Sequence, residues 1–111
     1  MKIIENTKKK VCFYLRNSTE NQNWEFQKES LLNILKTRND LILVHEYGEK
    51  ISGKYDETSS RPQLQKMLNS IKAGEIDIVY CYDVKRLSRN AFVLKEITEI
   101  CKKHNVNIHV Y

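Results

Sequence analysis

Ile76-Asp77-Ile78-Val79-Tyr80-Cys81-Tyr82 decides the fold. Its mix of β-branched, apolar and aromatic residues in so short a run reads as a buried strand. Before it, Leu64, Met67, Leu68 and Ile71 fall at helical spacing, and after it so do Val93 or Leu94, Ile97, Ile100 and Cys101. A strand set between two amphipathic helices is one turn of an alternating α/β chain.

The preceding helix is expected to start near Ser60-Arg61-Pro62, with serine as cap and proline in the first turn. It should end at Gly74 in a left-handed cap. Gly48 to Ser60 is polar and lacks periodicity, so a mobile loop is expected there, of a length that usually carries a function. Leu41-Ile42-Leu43-Val44, running into His45-Glu46-Tyr47, has the form of a strand covered on both faces, with Asn39-Asp40 as the break before it. From Asn21 to Arg38, Trp24, Leu31, Ile34 and Leu35 mark an amphipathic helix, and Val11 to Arg16 is the first strand. Residues 1–10 form a lysine-rich arm, either simply solvated or in contact with phosphate. Downstream, a helix from Asn90 to His104 ends in Lys102, Lys103 and His104, which suit a helix carboxyl end. Asn105 releases the chain into a last strand, Val106 to Tyr111. The alternation implies right-handed crossovers and a mainly parallel sheet. Because the chain stops directly after a strand, it is expected to be part of a longer protein.

The chain has 111 residues, 41% of them hydrophobic and 30% charged, the balance of one globular domain. A domain of this size buries roughly 65% of the surface its unfolded chain exposes. No apolar run is long enough to span a bilayer, and the N-terminus lacks the apolar stretch of a secretory signal. A cytoplasmic location is the default expectation. The net charge of +5 favours a polyanionic partner only weakly. Cys12, Cys81 and Cys101 are far apart and lie in apolar segments, which reads as buried free thiols.

Two polar motifs sit where buried strands run out: Tyr14-Leu15-Arg16-Asn17-Ser18-Thr19 and Lys85-Arg86-Leu87-Ser88-Arg89-Asn90. Loops at the carboxyl ends of adjacent strands converge on one crevice in an open α/β sheet, so a hydroxyl and a set of guanidiniums are expected to meet there. Serine attack on a phosphodiester needs its developing charge neutralised, and guanidiniums match phosphate oxygens better than lysines do. Taken singly, Ser18 is a loop hydroxyl or cap, Arg16 a strand-edge ion pair, and Arg86 with Arg89 a solvated basic turn. Three residues apart, Arg86 and Arg89 would point the same way on a helical turn.

From Val11 to its end the chain resembles the catalytic domain of the serine recombinases, the family of resolvases, invertases and large serine integrases. The resemblance rests on the Tyr14–Thr19 block with Gln22 and Gln27 after it, on Ser52-Gly53, on Arg61-Pro62-Gln63-Leu64-Gln65-Lys66-Met67-Leu68, on Gly74-Glu75-Ile76-Asp77, and on Arg86-Leu87-Ser88-Arg89-Asn90. The Ser52-Gly53 and Arg61-Pro62 blocks are closer to the large integrases and transposon recombinases than to the small resolvases. It implies a three-layer resolvase-like α/β fold over residues 11–111. The sheet would be mainly parallel, with four to five strands, helices on both faces and an edge strand that is allowed to run antiparallel.

The implied activity is site-specific DNA recombination without metal or cofactor. Ser18 would be the nucleophile that joins a DNA 5′ phosphate, with Arg16, Arg86 and Arg89 as catalytic partners. Arg16, Arg61, Lys85, Arg86 and Arg89 would bind DNA phosphate, and Gln22, Gln27, Glu49, Arg61 and Asp83 would support the site. Implied partners are double-stranded DNA and further copies of the protein, as dimer and synaptic tetramer. Two positions depart from the family: Glu49 stands where most relatives carry aspartate. Lys85 stands where many carry an acid, Asp83 being the nearest one here. The long helix and DNA-binding domains that follow in the family are not in this sequence, so the domain alone is expected to be inactive.

Rival readings are weaker on the residues. A flavodoxin-like binding module of the receiver kind wants acids after its first strand, where this chain has Arg16-Asn17-Ser18. A metal-dependent nuclease wants converging carboxylates, and Glu49 and Asp83 are too few. His45, His104 and His109 are separated and read as surface or structural residues. An inactive recombinase derivative acting through protein contacts stays open.

Overall fold

Helices pack on both sides of the sheet because β1 is apolar on both of its faces. In the computed structural model, which describes residues 8–17, 25–50 and 61–111, the elements run β1 (Lys9–Asn17), α1 (Glu25–Leu35), β2 (Leu41–Lys50), α2 (Pro62–Lys72), β3 (Ile78–Cys81), α3 (Val84–Leu87), α4 (Ala91–Lys103) and β4 (Asn107–Val110). The sheet order is β2-β1-β3-β4, and all of the described strands are parallel. Side chains alternate across β1, so Val11, Phe13 and Leu15 pack with Leu31 of α1 and with Ile78 and Tyr80. Cys12 and Tyr14 point the other way, into a larger cluster with Leu64, Met67 and Ile71 of α2 and with Ile97 and Cys101 of α4. The result is the expected three-layer α/β arrangement. The edge strand β4 runs parallel to β3, so no antiparallel strand occurs among the described residues.

Both long helices on this second face end in the same device. Gly74 (φ 79°) and Asn105 (φ 57°) take the left-handed conformation. Glu75 N–H then donates to the Ser70 carbonyl at 3.0 Å, and Val106 N–H to that of Cys101 at 2.8 Å. These six-to-one bonds satisfy carbonyls that the helix leaves open and turn the chain straight into β3 and β4.

Several expectations need correction. β2 is an edge strand, with Ile42 45% and Val44 37% exposed, so it is not covered on both faces. Its apolar run ends at a register shift, where Val11 pairs with Leu43 but Cys12 with His45. β2 also continues through Gly48 and Glu49 to Lys50, which takes the start of the expected loop into the sheet, and residues 51–60 lie outside the described residues. Ser60, the expected cap of α2, lies there too. Arg61 occupies the cap position, without a capping bond from its own side chain. Finally, Arg86 and Arg89 do not share a helical turn, because α3 ends at Leu87 and Ser88 is extended (φ −171°, ψ 150°). Among the described residues no helix is long and apolar enough to cross a membrane.

Candidate active site

The site is assembled where β1 and β3 end. β1 delivers Arg16 and Asn17, both almost fully buried, to opposite faces of the sheet. Arg16 donates from Nη2 to the Lys85 carbonyl at 2.7 Å, so the end of β1 is tied to the turn that carries Arg86. That turn is shaped by Asp83, which follows β3. Asp83 Oδ1 accepts from the Arg86 N–H at 3.1 Å as the cap of α3, and its Oδ2 lies 3.8 Å from Arg86 Nε. Asp83 therefore fixes both the backbone and the charge of Arg86. Lys85 and Arg89 are exposed. Ser88 Oγ accepts from Asn90 N–H at 2.8 Å, and Asn90 Oδ1 in turn caps α4 through Phe92 N–H at 2.8 Å.

Beneath this turn lies a buried ionic network. Glu49, opposite Arg16 in the β1–β2 register, accepts from the Tyr14 hydroxyl, from Gln63 N–H at 3.0 Å and from Leu64 N–H at 3.2 Å. A carboxylate from a neighbouring strand thus caps α2 and sits at the positive end of its dipole. Arg61 has no exposed surface: its Nε is 3.8 Å from Glu49, and its Nη2 donates to the Tyr14 hydroxyl at 2.7 Å and to the Arg86 carbonyl at 3.2 Å. Its guanidinium also lies 5.3 Å from the centre of the Tyr14 ring. Burial raises the Tyr14 phenol above its ordinary range; Arg61 opposes that rise, and Glu49 adds to it. Arg61 is therefore placed to hold the Arg86 turn from inside rather than to meet a phosphate from solvent.

On the other face, Gln27 of α1 donates from Nε2 to Asn17 Oδ1 at 2.8 Å and, more weakly, to the Arg16 carbonyl at 3.4 Å. This bond anchors the start of α1 to the end of β1. Ser18 and Gln22 lie outside the described residues. Of the remaining expected site residues, the structure brings Arg16, Glu49, Arg61, Asp83, Lys85 and Arg86 into one connected set. Gln27 joins it through Asn17, and Arg89 lies on the exposed bend after α3. Sequence reasoning passes over Tyr14 and Asn17 as site residues. The available signal for Tyr14 is strand alternation, which puts it on the same face as Arg16.

The three thiols stand apart from this set. All are free and buried in the second core cluster. Burial raises each of them, Cys81 to about 12 and Cys101 to about 11, so they are protonated and inert at neutral pH.

Residues 11–111 match the family described as Resolvase, N terminal domain. This chain belongs to the resolvase family. Solved structures agree in fold. The N-terminal catalytic domain of TP901-1 integrase superposes with a TM-score of 0.75 at 25% identity, over 90% of this chain and 75% of that one. A resolvase family site-specific recombinase from Streptococcus pneumoniae gives 0.73 at 28% identity, over 91% and 70%. The C-terminal catalytic domain of ISC1926 TnpA, an IS607-like serine recombinase, gives 0.80 at 24% identity, over 91% and 69%, a likeness of fold. No curated protein matches the chain. The family match identifies this resolvase-family domain as the catalytic domain of a serine site-specific recombinase.

Proposed function

We propose that this recombinase domain cuts and rejoins double-stranded DNA through Ser18. The observation that carries the reading is the Arg16–Lys85 hydrogen bond, which joins the strand leading to Ser18 to the turn bearing Arg86. Ser18 Oγ attacks the phosphorus, the bond from phosphorus to the 3′ oxygen breaks, and that oxygen leaves as a 3′-hydroxyl after taking a proton. The 5′ phosphate stays esterified to serine. Attack by a 3′-hydroxyl from a partner duplex reverses the step, restores a phosphodiester and frees the serine. Atoms and bond energy balance, so no cofactor is needed. Arg86 and Arg89, with Arg16 behind them, neutralise the pentacoordinate phosphate, and Lys85 adds charge along the backbone. Gln22 and Gln27 support the Ser18 limb. Glu49, Arg61 and Asp83 hold the Arg86 limb. Exchange between duplexes requires more than one copy, so self-association to a dimer and then a synaptic tetramer belongs to this reading.

The test is cleavage of a nicked suicide substrate by the protein in excess chelator. Cleavage is expected to survive, leaving a 3′-hydroxyl and a protein-blocked 5′ end. In the same assay Arg86→Lys should lose about 10²-fold or more, because a point charge does not present a planar fork to two oxygens. Strict magnesium dependence with free 5′ ends would overturn the proposal in favour of a nuclease.

A further inference from the structure

Three aromatic rings line the carboxyl edge of the sheet, and the phosphoryl chemistry uses none of them. Phe26 is the second residue of α1, Tyr82 follows β3, and Tyr111 follows β4. Phe26 meets Tyr82 edge to face, with ring centres 5.5 Å apart and planes at 71°. Tyr82 stacks on Tyr111 at 5.2 Å and 12°. Tyr111 is held in place by its N–H, which donates to the Cys81 carbonyl at 3.0 Å as a continuation of the ladder. Yet Phe26 is 66% exposed and Tyr111 61%, so their ring surfaces are left open to solvent.

The row also touches both limbs of the site. Phe26 directly precedes Gln27, whose amide grips Asn17, and Tyr82 directly precedes Asp83, which fixes Arg86. We propose that Phe26, Tyr82 and Tyr111 form a stacking platform for unpaired bases of the DNA strand being exchanged. Cutting a strand releases the flanking bases from one backbone, and they must leave one duplex before pairing in another. Flat aromatic faces bind such bases whatever their identity, because every base has a π face, while neighbouring cations follow the phosphates. Both requirements meet at this edge: Lys85 and Arg89 are exposed just beyond Tyr82, in a chain of net charge +5.

The inference rests on DNA being the substrate, but its readout is binding, so it stands or falls separately from Ser18 chemistry. The 111-residue chain is titrated with a single-stranded oligonucleotide carrying 2-aminopurine and with an abasic strand of the same length. The base-bearing strand is expected to bind more tightly, with its fluorescence quenched. Tyr111→Ala should weaken that binding about 5- to 150-fold, the value of one stacked base. Tyr111→Phe should retain it, and the abasic strand should not distinguish the variants. Phe26→Ala is the second variant, expected to behave like Tyr111→Ala while its circular dichroism stays unchanged. Equal affinity for the two strands would overturn the proposal. So would a loss in Tyr111→Ala confined to self-association, which would assign the row to a second copy of the chain.

Discussion

Glu49 ties β1, α2 and Arg61 together beneath the Arg86 turn. It balances Arg61, accepts from Tyr14 and caps α2. Glu49→Gln should therefore lower stability by ~3 kcal/mol, because it leaves the buried Arg61 charge uncompensated. Glu49→Asp keeps the charge and should cost less, although it shortens the reach to Gln63 and Leu64. Thermal unfolding of the two variants measures the order; a Gln variant as stable as the wild type would show that Arg61 does not depend on the carboxylate. At this scale the sequence was informative about identity and silent about depth. Arg16, Arg61 and Glu49 look like exposed polar residues by type, and only the pairing of β1 with β2 shows why they are buried. Asp83 reads as an isolated acid until the α3 turn folds its carboxylate back onto Arg86.

Among the elements, α2 and α4 were the most legible, because their apolar stripes and carboxyl-end signals agree. Gly74 was expected to be left-handed and is. An added Cβ there meets no atom within 4 Å, so Gly74→Ala isolates the backbone cost, roughly 1 kcal/mol or about 5 °C in Tm. Asn105→Gly, at the equivalent end of α4, should change Tm little, since asparagine already tolerates that conformation. Melting curves for the two variants test the pair; an unchanged Tm in Gly74→Ala would mean the turn relaxes out of the left-handed region. The edges were less legible. The run Leu41–Val44 is apolar enough for an inner strand, but the sheet order puts it outside, where Ile42 and Val44 face solvent. The α3 turn is a single turn of helix, too short for a periodic signal, and it breaks the spacing that would have aligned Arg86 with Arg89.

For the molecule as a whole, the buried thiols set a pH limit on stability. A thiol of the unfolded chain ionises near 9.0, whereas burial raises Cys81 to about 12 and Cys101 to about 11. Their stabilising contribution is complete below pH 9 and is lost as pH climbs from 9 through the folded values. The urea midpoint should fall between pH 9 and 11 with an unchanged slope, and Cys81→Ala should fall less steeply. A midpoint independent of pH would mean the thiols ionise in place. The strand–helix order and the parallel sheet were readable because alternation leaves few topologies. The same rule led to the expectation that the two strand-end motifs meet; Arg16 of the first reaches the Lys85 carbonyl of the second, while Ser18, the hydroxyl of that expectation, lies outside the described residues. Whether Ser18 is the group that joins DNA is read by trapping the cleaved complex on a suicide substrate and mapping the protein–DNA bond by mass spectrometry. The bond is expected at Ser18 Oγ, with no adduct from Ser18→Ala; an adduct at another residue, or one that persists in Ser18→Ala, would assign the nucleophile elsewhere.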